Sequence, residues 1–144
     1  MKRLVLFLAV VGLIACVGTR KVELTPQDHD FLDRLDSVQT TFSLPAEVSD
    51  IAWERARSFI DRYSWTSLHS VTDGEIRTFN PSTGTQQCGY VVTRRPEGED
   101  VEFSVQCVAG HSSYLGTADR NARILALYMK TGELPPDPKK LISH

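Results

Sequence analysis

Four histidines are the side chains best suited to acid–base or metal chemistry in this sequence. His29, His69, His111 and His144 occur singly. None belongs to an HExxH or His-x-His pattern, and no CxxC pair is present, so the spacings typical of metal sites are missing. The sequence therefore predicts neither a metal ion nor a cofactor.

One set of polar residues has the side-chain types that a hydrolytic site needs. His69, Asp73 and His111 could meet if strand and loop ends converge, and Ser112 and Ser113 adjoin His111. Neither a Gly-x-Ser-x-Gly elbow nor a phosphate-binding glycine loop accompanies them. Because such sets arise by chance, we expect no catalytic residues. A small hydrolase that uses His69 and His111 is the alternative.

Two cysteines are predicted to join the strands of one β-hairpin. Residues 86–95 and 100–109 form the predicted strands, and 96–99 form a four-residue turn. In this register Cys88 lies directly opposite Cys107. Neither cysteine adjoins a cation or a helix N-terminus, so a structural disulfide is a better interpretation than a reactive thiol.

The predicted hairpin has two different faces. Side chains alternate along a strand, and the face that carries the cysteines is almost entirely apolar. The other face is mostly polar and could be a binding surface, and an edge strand could also accept a partner strand. The residues predicted for this surface are Thr93, Arg95, Glu102, Ser104 and Gln106.

The N-terminal residues have the pattern of a secretory signal peptide. Lys2 and Arg3 precede an apolar stretch over residues 4–13. That stretch is too short for a transmembrane helix, which needs about 20 residues. Residues 13–16 read Leu-Ile-Ala-Cys: a branched apolar residue, a tolerant position, a small residue and then Cys16. This resembles the lipobox of bacterial lipoproteins.

The lipobox resemblance implies cleavage before Cys16 and a diacylglyceryl thioether on its sulfur, which would anchor the protein to a membrane. Position 17 is Val. In Gram-negative lipoproteins an Asp at this position favours retention in the inner membrane, so Val17 resembles the pattern of those sent to the periplasmic side of the outer membrane. A plain signal peptide, cleaved after Ala15 or Gly18, is the alternative. With Cys16 lipidated, two cysteines remain for a disulfide in an oxidising compartment.

The rest of the chain predicts a single α+β domain. Residues 39–44 are predicted to be a spacer. The expected fold is a four-stranded antiparallel meander with helices packed on one face and one cross-strand disulfide. The predicted elements are a helix from Pro26, helices over 45–63 and 118–131, strands on both sides of Asp73 and Gly74, and the two strands of the cysteine hairpin.

Domain limits follow from this order of elements. The tail is rich in proline and is expected to be extended, with Leu141 and Ile142 packed on the domain. The predicted divisions are a signal peptide over 1–15, lipidated Cys16 and a tether over 16–24, one domain over 25–134 and the tail over 135–144.

Trp53 and Trp65 are the two tryptophans of the chain. A pair of tryptophans can line a sugar-binding surface, but large aromatic side chains more often fill the core of a small domain. We therefore expect both side chains in the core.

Charge and motif content limit the function. The 144 residues carry a formal net charge of −2, and no basic patch alternates with aromatic residues, which argues against nucleic acid as a partner. The leading expectation is a membrane-anchored, non-enzymatic module of the cell envelope that acts in binding or assembly, with an envelope protein as partner.

Cys16→Ala is expected to leave an unprocessed precursor, because the thioether that precedes cleavage cannot form. Mass spectrometry of membrane extracts should show a lipidated chain beginning at Cys16 for the original protein and for a Gly18→Ala control. Normal lipidation and fractionation of Cys16→Ala would contradict the lipobox interpretation.

Overall fold

A computed structural model of the protein describes residues 22–142. Cys16, the signal-peptide region and His144 lie outside this range. In the described range, no helix is both long and apolar enough to cross a membrane. The strands are β1 Thr41–Pro45, β2 Leu68–Val71, β3 Glu75–Thr78, β4 Cys88–Glu97 and β5 Asp100–Ala109; the helices are α1 Pro26–Leu35, α2 Ala46–Tyr63, α3 Leu115–Thr131 and α4 Pro138–Ile142; one 3₁₀ turn covers Ser112–Tyr114.

The strands form one antiparallel sheet in the order β1-β5-β4-β3-β2. The predicted α+β class and the meander from β2 to β5 are confirmed, but the sheet has five strands rather than four. The fifth is β1, which pairs with β5 where a spacer was predicted. Its apolar Phe42 stacks on Phe103, with ring centroids 5.5 Å apart. Five residues ending in Pro45 give a weak strand signal, although proline is tolerated on an edge strand.

The register of the β4–β5 hairpin differs from the predicted one by two residues. Cys88 lies opposite Ala109, and Tyr90 lies opposite Cys107. The loop is therefore two residues long and begins at Gly98, whose φ of 65° suits the first central position of a tight turn.

The two-residue shift leaves every side chain on its predicted face, because strand side chains repeat with a period of two. Cys88 and Cys107 now occupy diagonal positions on the apolar face. Their Cα atoms are 5.6 Å apart, and the predicted disulfide is formed.

Helices α2 and α3 cover the apolar face of the sheet. The largest fully buried side chains come from β3, β4 and β5 on one side and from the helices on the other. They include Ile76, Tyr90, Val92, Phe103 and Val105 from the strands and Phe59, Ile60, Ile124, Leu125 and Met129 from the helices. The core therefore forms between this sheet face and the helix layer.

Helix α1 and the C-terminal segment close the domain beside α3. A capping box between Thr25 and Asp28 lies at the N-terminus of α1, which begins at Pro26 as predicted. The tail is not extended as predicted: Pro138 begins a short helix whose Leu141 and Ile142 are buried, in agreement with the expected packing of these two residues. Proline suits the first position of a helix, because the N–H it lacks has no partner there.

Removing the disulfide should weaken the fold measurably. For a sequence separation of 19 residues, the chain-entropy model predicts that Cys88→Ser with Cys107→Ser lowers the free energy of unfolding by roughly 3 kcal/mol. Urea unfolding would measure this, and reduction of the original protein should give a similar loss. Two free thiols in the oxidised protein, or unchanged stability, would contradict the disulfide.

The contact between α1 and α4 makes stability depend on pH. Lys140 Nζ lies 2.6 Å from a carboxylate oxygen of buried Asp28. The hydrogen bond from Lys140 is the main cause that lowers the Asp28 pKa to about 2. A carboxyl with a lowered pKa stabilises the fold above its unfolded value and loses this contribution as the pH falls through the folded value.

We therefore expect the Asp28→Asn variant to have a lower Tm than the original protein at pH 6. Near pH 2 the Tm values of the two proteins should converge. Asp61→Asn changes an exposed acid on α2 and is the matched control. Circular dichroism melts at both pH values would measure the two differences. An equal loss for Asp28→Asn at pH 6 and pH 2 would show that the ion pair is not the cause.

Candidate ligand-binding cleft

The polar surface predicted from the sequence lies on the outer, helix-free face of β4 and β5. Arg95 and Glu102 form an ion pair of 2.8 Å across the hairpin, and Thr93 lies opposite Ser104. Gln106 is exposed on the same face. The expectation that the hairpin offers an edge strand is wrong, because β3 pairs with β4 and β1 pairs with β5. The sheet edges are β1 and β2.

Two members of the predicted hydrolytic set lie at opposite ends of the sheet. Asp73 is in the turn between β2 and β3, where its backbone carbonyl accepts a hydrogen bond of 2.6 Å from Arg94. His111 comes after Ala109, which pairs with Cys88. Arg94 and Cys88 are six residues apart on β4, and this places the two ends about 20 Å apart. Asp73 therefore does not orient His111.

The two candidate histidines make local contacts only. The ring of His69 packs against Phe79, with centroids 4.6 Å apart. His111 Nδ1 accepts a hydrogen bond of 3.2 Å from the Ser113 backbone N–H and caps the 3₁₀ turn. Over residues 22–142, no hydrogen bond joins the histidines, and no three His, Cys, Asp or Glu side chains group as metal ligands do.

A cleft of about 450 Å³ lies between the end of α2, the start of β4 and α3. A second cavity of about 360 Å³ adjoins it, and the two share Tyr63, Trp65 and Ile142. We call the pair the Trp65 cleft. The side chains that line the larger cavity include Tyr63, Trp65, Gln86, Gln87, Tyr90 and Asn121.

Trp65 stands at the junction of the two cavities and is 64% exposed. The prediction that it lies in the core is wrong, whereas Trp53 is buried as expected. Helix α2 ends at Tyr63, and the Ser64 hydroxyl donates a hydrogen bond of 2.8 Å to the Thr66 carbonyl. The chain thus turns away from the helix just where Trp65 occurs, and its side chain is not part of the helix's buried stripe.

The floor of the cleft contains two buried polar side chains with unused hydrogen-bonding atoms. Asn121, on α3, donates from Nδ2 to the Ile142 carbonyl at 3.0 Å, and Nδ2 lies 3.7 Å from the Cys88 sulfur. The Asn121 Oδ1 atom and the Tyr90 hydroxyl have no hydrogen-bond partner within residues 22–142. Tyr90 is 1% exposed and Asn121 is 2% exposed.

The electrostatics of the floor keep Tyr90 neutral. Burial raises the pKa of its hydroxyl well above the usual value, and the nearby positive charge of Arg120 opposes the rise only in part. Burial also lowers the pKa of Arg120. Tyr90 therefore remains a phenol that can donate a hydrogen bond.

The rim adds further neutral polar groups. The side-chain amides of Gln86 and Gln87 make no hydrogen bond within the described part of the chain. No charged side chain is among the described residues that line the larger cavity, while Arg62 and Lys139 line the smaller one. This largely neutral lining of aromatic and polar side chains is typical of a ligand-binding cleft.

Comparison with protein-family models, curated protein sequences and solved structures gave no match. Sequence patterns predicted Trp65 only as a core residue and assigned no role to Asn121. A polar residue within an otherwise apolar helical stripe was the one signal of the cleft that the sequence carried.

Proposed function

We propose that this protein is a membrane-anchored, extracytoplasmic binding module of the bacterial cell envelope and that it holds its ligand in the Trp65 cleft. Lipidation of Cys16 supplies the anchor, a signal peptide directs export, and the Cys88–Cys107 disulfide suits the oxidising compartment in which the domain acts. The proposal includes no cofactor beyond the covalent lipid.

The observation that carries the proposal is the set of unused hydrogen-bonding groups beside an exposed tryptophan. A buried polar atom without a partner costs about 1–3 kcal/mol of stability. The Tyr90 hydroxyl and Asn121 Oδ1 both have this status within residues 22–142. A ligand that satisfies them recovers part of that cost on binding. Polar groups that destabilise the free fold are common at functional sites.

Binding receives more support than catalysis from the same geometry. Among the described residues, the larger cavity is lined by neutral side chains and a disulfide, and none is a histidine or carboxylate that could act as a general base. A hydrolase that uses His69 and His111 has less support. His111 Nδ1 lies 3.0 Å from the Ser113 hydroxyl and 3.2 Å from the Ser113 backbone N, but within residues 22–142 no hydrogen bond joins it to His69 or Asp73.

The anchor limits where the ligand can be. Residues 16–24 can extend at most about 30 Å from the lipid to the first residues of the domain. The proposed ligand is therefore an envelope component close to the membrane surface, either a polymer or an envelope protein to be assembled.

Photo-crosslinking in intact cells would test the proposed site. A photoreactive phenylalanine analogue replaces Trp65 in one variant and Phe79 in the control. Phe79 is 53% exposed and lies outside the cleft. We expect a reproducible adduct from position 65 and none from position 79, because only position 65 contacts the ligand. No adduct at 65, or the same adducts at both positions, would contradict a binding role for the cleft.

A further inference from the structure

The two unused groups on the cleft floor require complementary partners. The Tyr90 hydroxyl needs an acceptor, and Asn121 Oδ1 can only accept, so it needs a donor. Both side chains line the larger cavity. Cys88 and Tyr90 lie two residues apart on the same face of β4, and Asn121 Nδ2 is 3.7 Å from the Cys88 sulfur. A secondary amide carries an acceptor carbonyl and a donor N–H on opposite sides, and it therefore has the two complementary groups that these atoms require.

The upper part of the cleft adds a second requirement. The Trp65 ring is a large, exposed aromatic surface, suited to an equally flat and partly apolar ligand ring. The side-chain amides of Gln86 and Gln87 each offer donors and an acceptor, so they can either donate a hydrogen bond to a hydroxyl group or accept one from it. A sugar ring combines apolar C–H faces with hydroxyl groups around its edge.

Charge is consistent with a neutral ring at this position. The described residues that line the larger cavity carry no acidic side chain, so a positively charged substituent there would lose its hydration without gaining a counter-ion.

We propose that the Trp65 cleft binds an N-acylated amino sugar, whose ring stacks on Trp65 while its acyl amide accepts a hydrogen bond from Tyr90 and donates one to Asn121. This inference rests on the proposed binding function and names the class of its ligand. Both floor atoms are buried, so the ligand must displace neighbouring side chains to reach them. Gln86 and Gln87 are suited to such movement, because their side chains make no hydrogen bond within residues 22–142.

Ligand-observed saturation-transfer NMR on the full-length protein, purified in a detergent without a sugar headgroup, tests the assignment. The probe is the β-1,4-linked disaccharide of N-acetylglucosamine. Cellobiose has the same linkage but no acyl amide, and N-acetylalanine methylamide has the amide but no sugar ring. We expect the acetylated disaccharide to bind at least about tenfold more tightly than either control, because only it meets both requirements.

Variants separate the contacts from the fold. Tyr90→Phe removes a hydroxyl without a partner in residues 22–142, so its Tm should not fall, while the preference for the acetylated disaccharide over cellobiose should be lost. Trp65→Ala should weaken binding of both disaccharides about tenfold. Phe79→Ala, at an exposed aromatic residue outside the cleft, should leave the binding of both disaccharides unchanged.

Gln86→Ala, at an exposed position, replaces Tyr90→Phe in the test if that variant does not fold. It should weaken the binding of both disaccharides.

Equal binding of cellobiose, tighter binding of the methylamide, or an unchanged preference in Tyr90→Phe would overturn the sugar assignment. A specific photo-adduct at position 65 without binding of the disaccharide would overturn only the ligand class. Absence of both the adduct and disaccharide binding would overturn the proposed function as well.

Discussion

Burial of one face of the β4–β5 hairpin against α2 and α3 is the constraint on which the rest of the structure depends. Tyr90, Val92, Phe103 and Val105 project from this face and are fully buried. Each strand places only alternate residues there, so the opposite face is left to polar residues. The disulfide on the buried face ties the two strands together near their open end, away from the turn at Gly98. Strands β1 and β3 then extend the sheet from both sides of the hairpin.

The same constraint creates the Trp65 cleft where the core ends. Cys88 is the first residue of β4, and the chain before it no longer pairs within the sheet. Asn121 of α3 reaches this point, contacts the disulfide and holds the Ile142 carbonyl of α4. The C-terminal segment is therefore fixed both here and through the ion pair between Lys140 and Asp28. A cleft wall secured at two places can keep its polar floor away from water.

Sequence patterns predicted those features that depend on local periodicity. The faces of the hairpin, the start of α1 at Pro26 and the Asp73–Gly74 turn each arise from residues close together in the chain. The predicted register of β4 and β5 was wrong because a two-residue turn and a four-residue turn place the same side chains on the same faces. Only the backbone conformation at Gly98 distinguishes the two turns. Strand β1 was missed because its pairing partner lies some sixty residues away, and five residues carry little pattern. Helix α4 was missed because prolines usually end helices, whereas Pro138 begins one.

The cleft could not be predicted in the same way, since its residues come from four separate segments of the chain and none forms a motif with its neighbours. These residues are distinguished by their burial and their hydrogen bonds in the folded structure, which the sequence does not show. The Tyr90 hydroxyl has no hydrogen-bond partner in residues 22–142. Phenylalanine at position 90 would fill nearly the same volume and would bury no unpaired polar group. Hydrogen bonds within residues 22–142 therefore give no reason for the hydroxyl of Tyr90 or for Oδ1 of Asn121, although Asn121 Nδ2 does support the C-terminal segment. The indole of Trp65 likewise contributes little to the stability of the core, because it is exposed. Three side chains that the fold does not fully use meet at one cleft, and a ligand with an apolar face and an amide gives all three a role.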